Sequence, residues 1–189
     1  MKFNNKVLTN YELDGKDFDD ISFESCKITG SIKFVNFDDC KFISCDLSTA
    51  TFNTTSFTKC IFPESKLSNI DFADIRISDC NFFNSVMENC VFQKKLTKND
   101  IKKLDLRNCV FDKTKLKGSA FVYCNLEKVN FEGSDLSAAI FERCNLTLTN
   151  FTEANINGTG FENCIINNTI LDISGYISYG SSKGFVLSN

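Results

Sequence analysis

Ten cysteines are the most chemically capable residues in this chain of 189. That many thiols can build a disulfide scaffold, hold zinc or run a redox cycle. No Cys-x-x-Cys pair is present to chelate a metal, and histidine is absent altogether. Without histidine the commonest general base and the commonest metal ligand are both missing, so Ser-His-Asp and Cys-His nucleophile systems are excluded. No phosphate-binding P-loop and no Gly-x-Gly-x-x-Gly turn occurs. The adjacent carboxylates Asp19-Asp20 and Asp38-Asp39 read as solvated corners rather than an acid–base pair, and Lys102-Lys103 is too short a basic run for nucleic-acid binding. The sequence therefore points to a non-enzymatic protein with no catalytic residues, no metal and no cofactor.

The cysteines obey a positional rule instead. Cys26, Cys40, Cys45, Cys60, Cys80, Cys90, Cys109, Cys124, Cys144 and Cys164 each lie two residues before a member of an apolar series. Elsewhere the same site holds Ala50, Thr55, Ser65, Ser85, Thr114, Ser119, Ser134, Ala139, Thr149, Ala154 or Thr159. It wants a small inward side chain, and a free thiol is a small hydrophobe. Ile70, Ile75 and Leu104 break this rule and are expected to distort the structure locally.

The series has a period of five. It runs Leu8, Leu13, Phe18, Phe23, Ile28; then from Phe37 in steps of five to Phe92; then from Ile101 to Leu171, with all 32 positions apolar and 16 of the 20 Phe among them. In an α-helix a step of five spirals round every face, and in a straight strand it alternates faces. The pattern makes physical sense if the backbone turns a corner once per five residues, so that each marked side chain points inward. In the third series Phe recurs every ten residues, at Phe111, Phe121, Phe131, Phe141, Phe151 and Phe161. With four sides per coil, Phe131 sits over Phe111 and Phe141 over Phe121, giving two facing aromatic columns. Phe42, Phe62 and Phe82 then form one column, with Phe52, Phe72 and Phe92 opposite. Eight coils at about 4.8 Å each give a rod of roughly 38 Å, filled by its own side chains. Twenty-residue spacing also stacks Cys40 on Cys60 on Cys80, and Cys124 on Cys144 on Cys164; parallel side chains suit a disulfide poorly, so buried free thiols are expected.

The units Cys45-Asp46-Leu47, Cys124-Asn125-Leu126, Ser134-Asp135-Leu136 and Cys144-Asn145-Leu146, each followed by two variable polar residues, resemble the pentapeptide repeat A(D/N)LXX. The resemblance implies an all-β fold, a right-handed quadrilateral β-helix over residues 1–171 with a short C-terminal helical cap over 172–189. Its best-understood branch, the Qnr-like and microcin-immunity group, implies a dimeric rod that imitates DNA, binds a type II topoisomerase (DNA gyrase or topoisomerase IV) and protects it from quinolones or toxins. The alternative is a scaffold for protein–protein interaction unrelated to topoisomerase.

Three features bear on that branch. Beyond Leu171, the residues Ile173, Tyr176, Ile177 and Gly180 have helical spacing, Asp172 is placed to cap them, and Gly184 suits the residue after a helix end. Phe185-Val186-Leu187 follows. The resemblance to the Qnr-like branch, whose rods join end to end through a similar tail, implies that Ile173, Tyr176, Ile177, Phe185, Val186 and Leu187 form a homodimer interface, a monomeric cap being the alternative. Charge is segmented: residues 1–92 carry 14 acidic and 9 basic groups, 93–117 carry 3 and 9, and 118–182 carry 7 and 2. Glu127, Glu132, Asp135, Glu142, Glu153 and Glu162 are the expected stand-ins for phosphates, with Lys94, Lys95 and Lys98 adjusting the contact from a loop at 93–100. Last, the steps Ile28–Phe37 and Phe92–Ile101 are both nine residues. Each is either an insertion bulging from a corner or a single deletion around an irregular repeat. No apolar run approaches the roughly 18 residues of a membrane span, and the start lacks the apolar stretch of a secretory signal, so a cytoplasmic chain is expected.

Overall fold

The computed structural model describes residues 2–95 and 103–188. The chain forms a parallel β-solenoid of about eight coils, with one helical turn, α1 (Asn10–Leu13), in its first coil and a ten-residue helix, α2 (Ile173–Ser182), at its end. Most strands are two to four residues long, because the backbone turns after a five-residue side; Lys27–Lys33 and Asp46–Asn53, of seven and eight residues, run on through a corner. Every strand pairing recorded is parallel, coil upon coil.

The corner has a specific backbone cause. Two residues after most inward apolar side chains, φ is positive: Asp39 49°, Ser44 50°, Lys59 52°, Tyr123 54°, Arg143 54°, with Gly133 at 65° in the same place; Thr49, Asp74 and Asn108 are exceptions. A left-handed conformation costs a non-glycine residue about 1–2 kcal/mol. The corner N–H is compensated by a hydrogen bond to the coil above, as from Asp39 to the Thr58 carbonyl (2.9 Å) and from Tyr123 to that of Glu142 (2.8 Å). Because residue types as different as Phe34 and Leu148 occupy it, the corner is set by coil-to-coil bonding rather than by turn residues.

Inside, the aromatic columns follow the spacing except at Phe52, whose recorded ring contact is edge-on to Phe57 at 5.5 Å rather than a stack on Phe72. One column stacks Phe42, Phe62, Phe82, Phe111, Phe131 and Phe151 at centroid separations of 4.9–5.3 Å, and extends downward through Phe23 to Phe3. The facing column stacks Phe72, Phe92, Phe121, Phe141 and Phe161. The two meet edge-to-face, Phe121 to Phe131 at 5.6 Å and Phe131 to Phe141 at 5.8 Å, the geometry that ring quadrupoles favour. In the first coils a third column, Phe18, Phe37 and Phe57, packs edge-on against the first.

The two slips resolve differently. At the first, Phe23 pairs with Phe42 and Ile32 with Phe52, while the register shifts between Lys27 and Thr29. Ile32 is fully buried, so it takes the inward place four residues after Ile28. The coil is one residue short, and the strand Lys27–Lys33 crosses the slip without a projecting loop. At the second, Phe92 pairs with Phe121 and Leu104 with Cys124. Twelve steps on one coil therefore match three on the next, an excess of nine. The register gives Phe92 an inward place beneath Phe121; Ile101, like 96–100 and Lys102, lies outside the described residues. Two further expectations change. The first coil is not purely strand: Thr9 and Glu12 form a capping box that turns Asn10–Leu13 into helix while still burying Leu13. Nor does Ile75 distort the ladder, since Ile75–Ser78 pairs in register with Thr55–Thr58 and Ile75 is buried.

Candidate protein-interaction surfaces

The small-residue site does more than save space. Its Ser, Thr and Cys side chains donate to the carbonyl of an inward residue one coil below: Ser65 Oγ to Phe42 (2.7 Å), Thr114 Oγ1 to Phe82 (2.8 Å), Ser134 Oγ to Phe111 (2.6 Å), Cys60 Sγ to Phe37 (3.4 Å) and Cys144 Sγ to Phe121 (3.2 Å). Where the site holds Ser, Thr or Cys, the short side chain also supplies a donor, a role that size alone did not reveal; Ala50, Ala139 and Ala154 fill the site by size alone. All ten thiols are free, nine of them buried and Cys164 half-buried at the end of the rod. The stack Cys40–Cys60–Cys80 continues to Cys109, because Asn81 and Val110 are paired one residue further on. Burial pushes the Cys90 and Cys109 thiols up to about 12, which keeps them protonated and weakly nucleophilic at neutral pH. Among the described residues no group of Cys, Asp and Glu is placed to hold a metal ion.

Where the outward residue before an inward one is Asn or Asp, these side chains form polar ladders. Asn150 Nδ2 donates to Asn130 Oδ1 (2.8 Å), Asn145 Nδ2 to Asn125 Oδ1 (3.1 Å), and Asn155 Nδ2 to Asp135 Oδ1 (3.1 Å). Asp135 also accepts from the Ser137 N–H (3.0 Å), so its carboxylate is committed to the rod. The other five candidate carboxylates are spread over three faces. Glu132 and Glu153 follow Phe131 and Phe151, Glu142 and Glu162 pair on adjacent strands of the opposite face, and Glu127 follows Leu126. Glu127, Glu142 and Glu162 have cations near them, Lys128 at 4.0 Å, Arg143 at 3.6 Å and Lys183 at 3.8 Å. With Asp135 on the fourth face, the six do not form one stripe. The basic segment likewise wraps the rod: Arg107, Lys113, Lys115 and Lys117 follow one another round a single coil. Lys95 lies 3.3 Å from Asp74, Lys94 is partly buried, and Lys98 falls outside the described residues.

The C-terminal end is the apolar surface. Asp172 caps α2, accepting from the Gly175 N–H at 2.7 Å and the Glu153 N–H at 2.8 Å, and these bonds hold its carboxyl below the usual carboxylate range. Tyr179 lies edge-on against Phe161 at 5.8 Å, closing one aromatic column. Gly184, with φ of 85°, turns the chain after the helix, and the Phe185 N–H returns to the Gly180 carbonyl. The cap is incomplete. Ile173, Tyr176, Ile177, Phe185, Val186 and Leu187 are all exposed, Val186 at 92%, together with Ile165, Ile166 and Ile170 of the last coil. An apolar groove of about 270 Å³ opens between Phe151, Phe161, Ile166 and Tyr176. The structure thus brings the six sequence-predicted interface residues to one end, and adds three isoleucines to them. Ile165 and Ile170 occupy the outward site before an inward residue, whereas Ile166 is an inward position of the series left uncovered at the end of the rod.

A filled four-sided solenoid built coil upon coil defines a repeat-protein scaffold. The pentapeptide-repeat model matches residues 36–74, 100–133 and 130–168 in eight copies, and the chain belongs to the pentapeptide repeat family. No curated protein matches it. Among solved structures, HetL from the cyanobacterium Nostoc sp. strain PCC 7120, a pentapeptide repeat protein involved in heterocyst differentiation regulation, is similar over 87% of this chain and 84% of its own, with a TM-score of 0.56 and 14% identity. Full-length QnrB1, a plasmid-mediated fluoroquinolone resistance protein, aligns over 97% of each chain at 18% identity with a TM-score of 0.47. At these identities the likeness concerns the fold alone. Among the described residues no helix is long and apolar enough to cross a membrane.

Proposed function

We propose that this chain is a non-enzymatic, cytoplasmic protein-binding rod that pairs end to end with a second copy and, as a DNA mimic, engages a type II topoisomerase. The observation that carries the pairing is the exposed apolar C-terminal end. Nine large apolar side chains there remain in contact with water in a single copy, and covering such a patch is the general role of a homotypic interface. Tail-to-tail pairing sets two segments of net −5 (residues 118–182) side by side, with no direct nucleic-acid binding expected of an acidic middle. Glu132 and Glu153, both exposed and on one face, are the carboxylates best placed to meet a basic DNA-binding saddle.

A second reading is favoured by one observation: the candidate carboxylates occupy four faces, and half of them have a cation nearby. On that reading the rod is a scaffold for a partner other than a topoisomerase. A DNA gyrase supercoiling assay with ciprofloxacin separates the two. Restored supercoiling at micromolar protein, lost in Glu132→Lys/Glu153→Lys, supports the mimic. Neither protection nor inhibition supports the scaffold.

A further inference from the structure

We propose that the N-terminal end of the rod is a docking edge for an extended basic segment of a partner protein, which adds a strand beneath the first coil. This proposal is independent of the C-terminal reading. Three sheets end here. Lys2–Asn4 pairs only with Ser22–Glu24, Val7–Leu8 only with the strand at Lys27, and Asp17–Asp19 only with Asn36–Asp38. Their outer edges present a row of main-chain donors and acceptors, the template for strand addition. Whereas α2 lies across the other end, only the single turn α1 interrupts this one. Phe3, Phe18 and Ile21 are half-buried, and with Tyr11, 88% exposed, they line an open groove of about 660 Å³.

Charge decides the occupant. Asp17, Asp19 and Asp20 lie along this edge, with Asp38 and Asp39 directly above them on the next coil, and all five are exposed. Among the described residues none has a lysine or arginine nitrogen within 4 Å. Of the nearby cations, Lys2 Nζ is 2.6 Å from Glu24, and Lys16, which lines the groove together with Glu12, is held by donation of its Nζ to the Glu12 carbonyl. A second copy offering the same edge would bring five more aspartates against these five, so the end is unsuited to self-pairing. Because Asp17 and Asp19 point outward and Phe18 inward, an added strand in register with them places alternate side chains against the carboxylates and against the apolar groove. The matching sequence alternates lysine or arginine with a β-branched or aromatic residue.

The probe is the capped heptapeptide of alternating lysine and valine, four lysines and three valines, titrated into the ¹⁵N-labelled full chain. Saturable amide shifts confined to residues 2–4 and 17–21 are expected. Affinity should fall about tenfold or more between 50 and 500 mM NaCl, because exposed charges are screened over that range. A triple variant, Asp19→Asn/Asp20→Asn/Asp38→Asn, should lose most of the binding while keeping the wild-type melting curve. A Lys→Glu peptide should not bind, and a Val→Ser peptide should bind at least tenfold more weakly. The salt dependence of the wild type provides a test even if the variant misfolds. No saturable shift at 2 mM peptide, shifts located elsewhere, equal binding of the Lys→Glu peptide, or self-association through residues 2–21 would each overturn the proposal. Val186→Asp, which disrupts the other end, should leave peptide binding unchanged, so failure of the pairing model is read separately.

Discussion

Phe131→Ala probes the columns where they are most complete. Phe131 is fully buried and touches four rings: Phe111 at 5.2 Å and Phe151 at 5.3 Å along its own column, Phe121 at 5.6 Å and Phe141 at 5.8 Å across the rod. Truncating a buried phenylalanine costs about 3–5 kcal/mol, more where the surroundings cannot collapse. Here the neighbours are held by coil-to-coil hydrogen bonds, and each lost ring pair adds roughly 0.5–1.5 kcal/mol, so the upper end, about 5 kcal/mol, is expected. Phe161→Ala is the internal control. That ring is half-buried, stacks on Phe141 alone and meets Phe151 and Tyr179 edge-on, so about 1–2 kcal/mol is expected. Urea unfolding followed by far-UV circular dichroism measures both. Native-state hydrogen exchange at 109–153 guards against the loss of two-state behaviour common in solenoids. A cost under about 2 kcal/mol for Phe131→Ala, or equal costs for the two variants, would refute the stacked-column energetics.

Other consequences are as direct. In native protein at pH 8, Ellman's reagent should titrate at most Cys164, with all ten thiols reacting in guanidinium. Because burial raises the folded-state pKa of Cys90 and Cys109 from an ordinary value near 9 to about 12, their contribution to stability is complete below pH 9. It is lost as pH rises toward 12, so stability should be flat from pH 6 to 8 and decline above 9. Asp172 has the opposite sign: its lowered pKa makes cap stability present at neutral pH and lost on acidification below the usual carboxylate range. Amide exchange in Ile173–Ser182 should speed up there, and Asp172→Ala should show the fast rate at every pH. Ile32→Asp should be as disruptive as a charge at any column position, whereas reading Ile32 as part of a surface loop predicts a neutral effect; thermal melting distinguishes the two.

Most of the fold was legible because its code is one-dimensional. A residue such as Phe111 needs only to be apolar and five from the next, and its partner Phe131 is then fixed by the count of sides. What escaped the sequence depended on bonding across coils. The four-residue side at Ile28–Ile32 needed the register of the neighbouring coil. The donor role of Ser65 and Cys60 needed the carbonyl below. The helical turn at Asn10–Leu13 hid behind an unbroken period, since Leu13 keeps its inward place. Charge was legible only as a sum: residues 118–182 are acidic by count, but the five-residue step distributes Glu127, Glu132, Asp135 and Glu142 round the rod. At the apolar end Phe185-Val186-Leu187 was legible, because it lies beyond the repeats, but the exposure of Ile165, Ile166 and Ile170 was not, since it depends on how α2 crosses the last coil.

Small-angle X-ray scattering in dilute solution addresses that end most directly. Two rods joined through residues 173–187 should give a particle roughly 80 Å or more in its longest dimension, twice the ~38 Å of eight coils, with a cross-section unchanged from one copy. Phe185→Asp/Val186→Asp should halve both length and mass. A wild-type particle with the length and mass of one chain would contradict the pairing on which the proposed function rests.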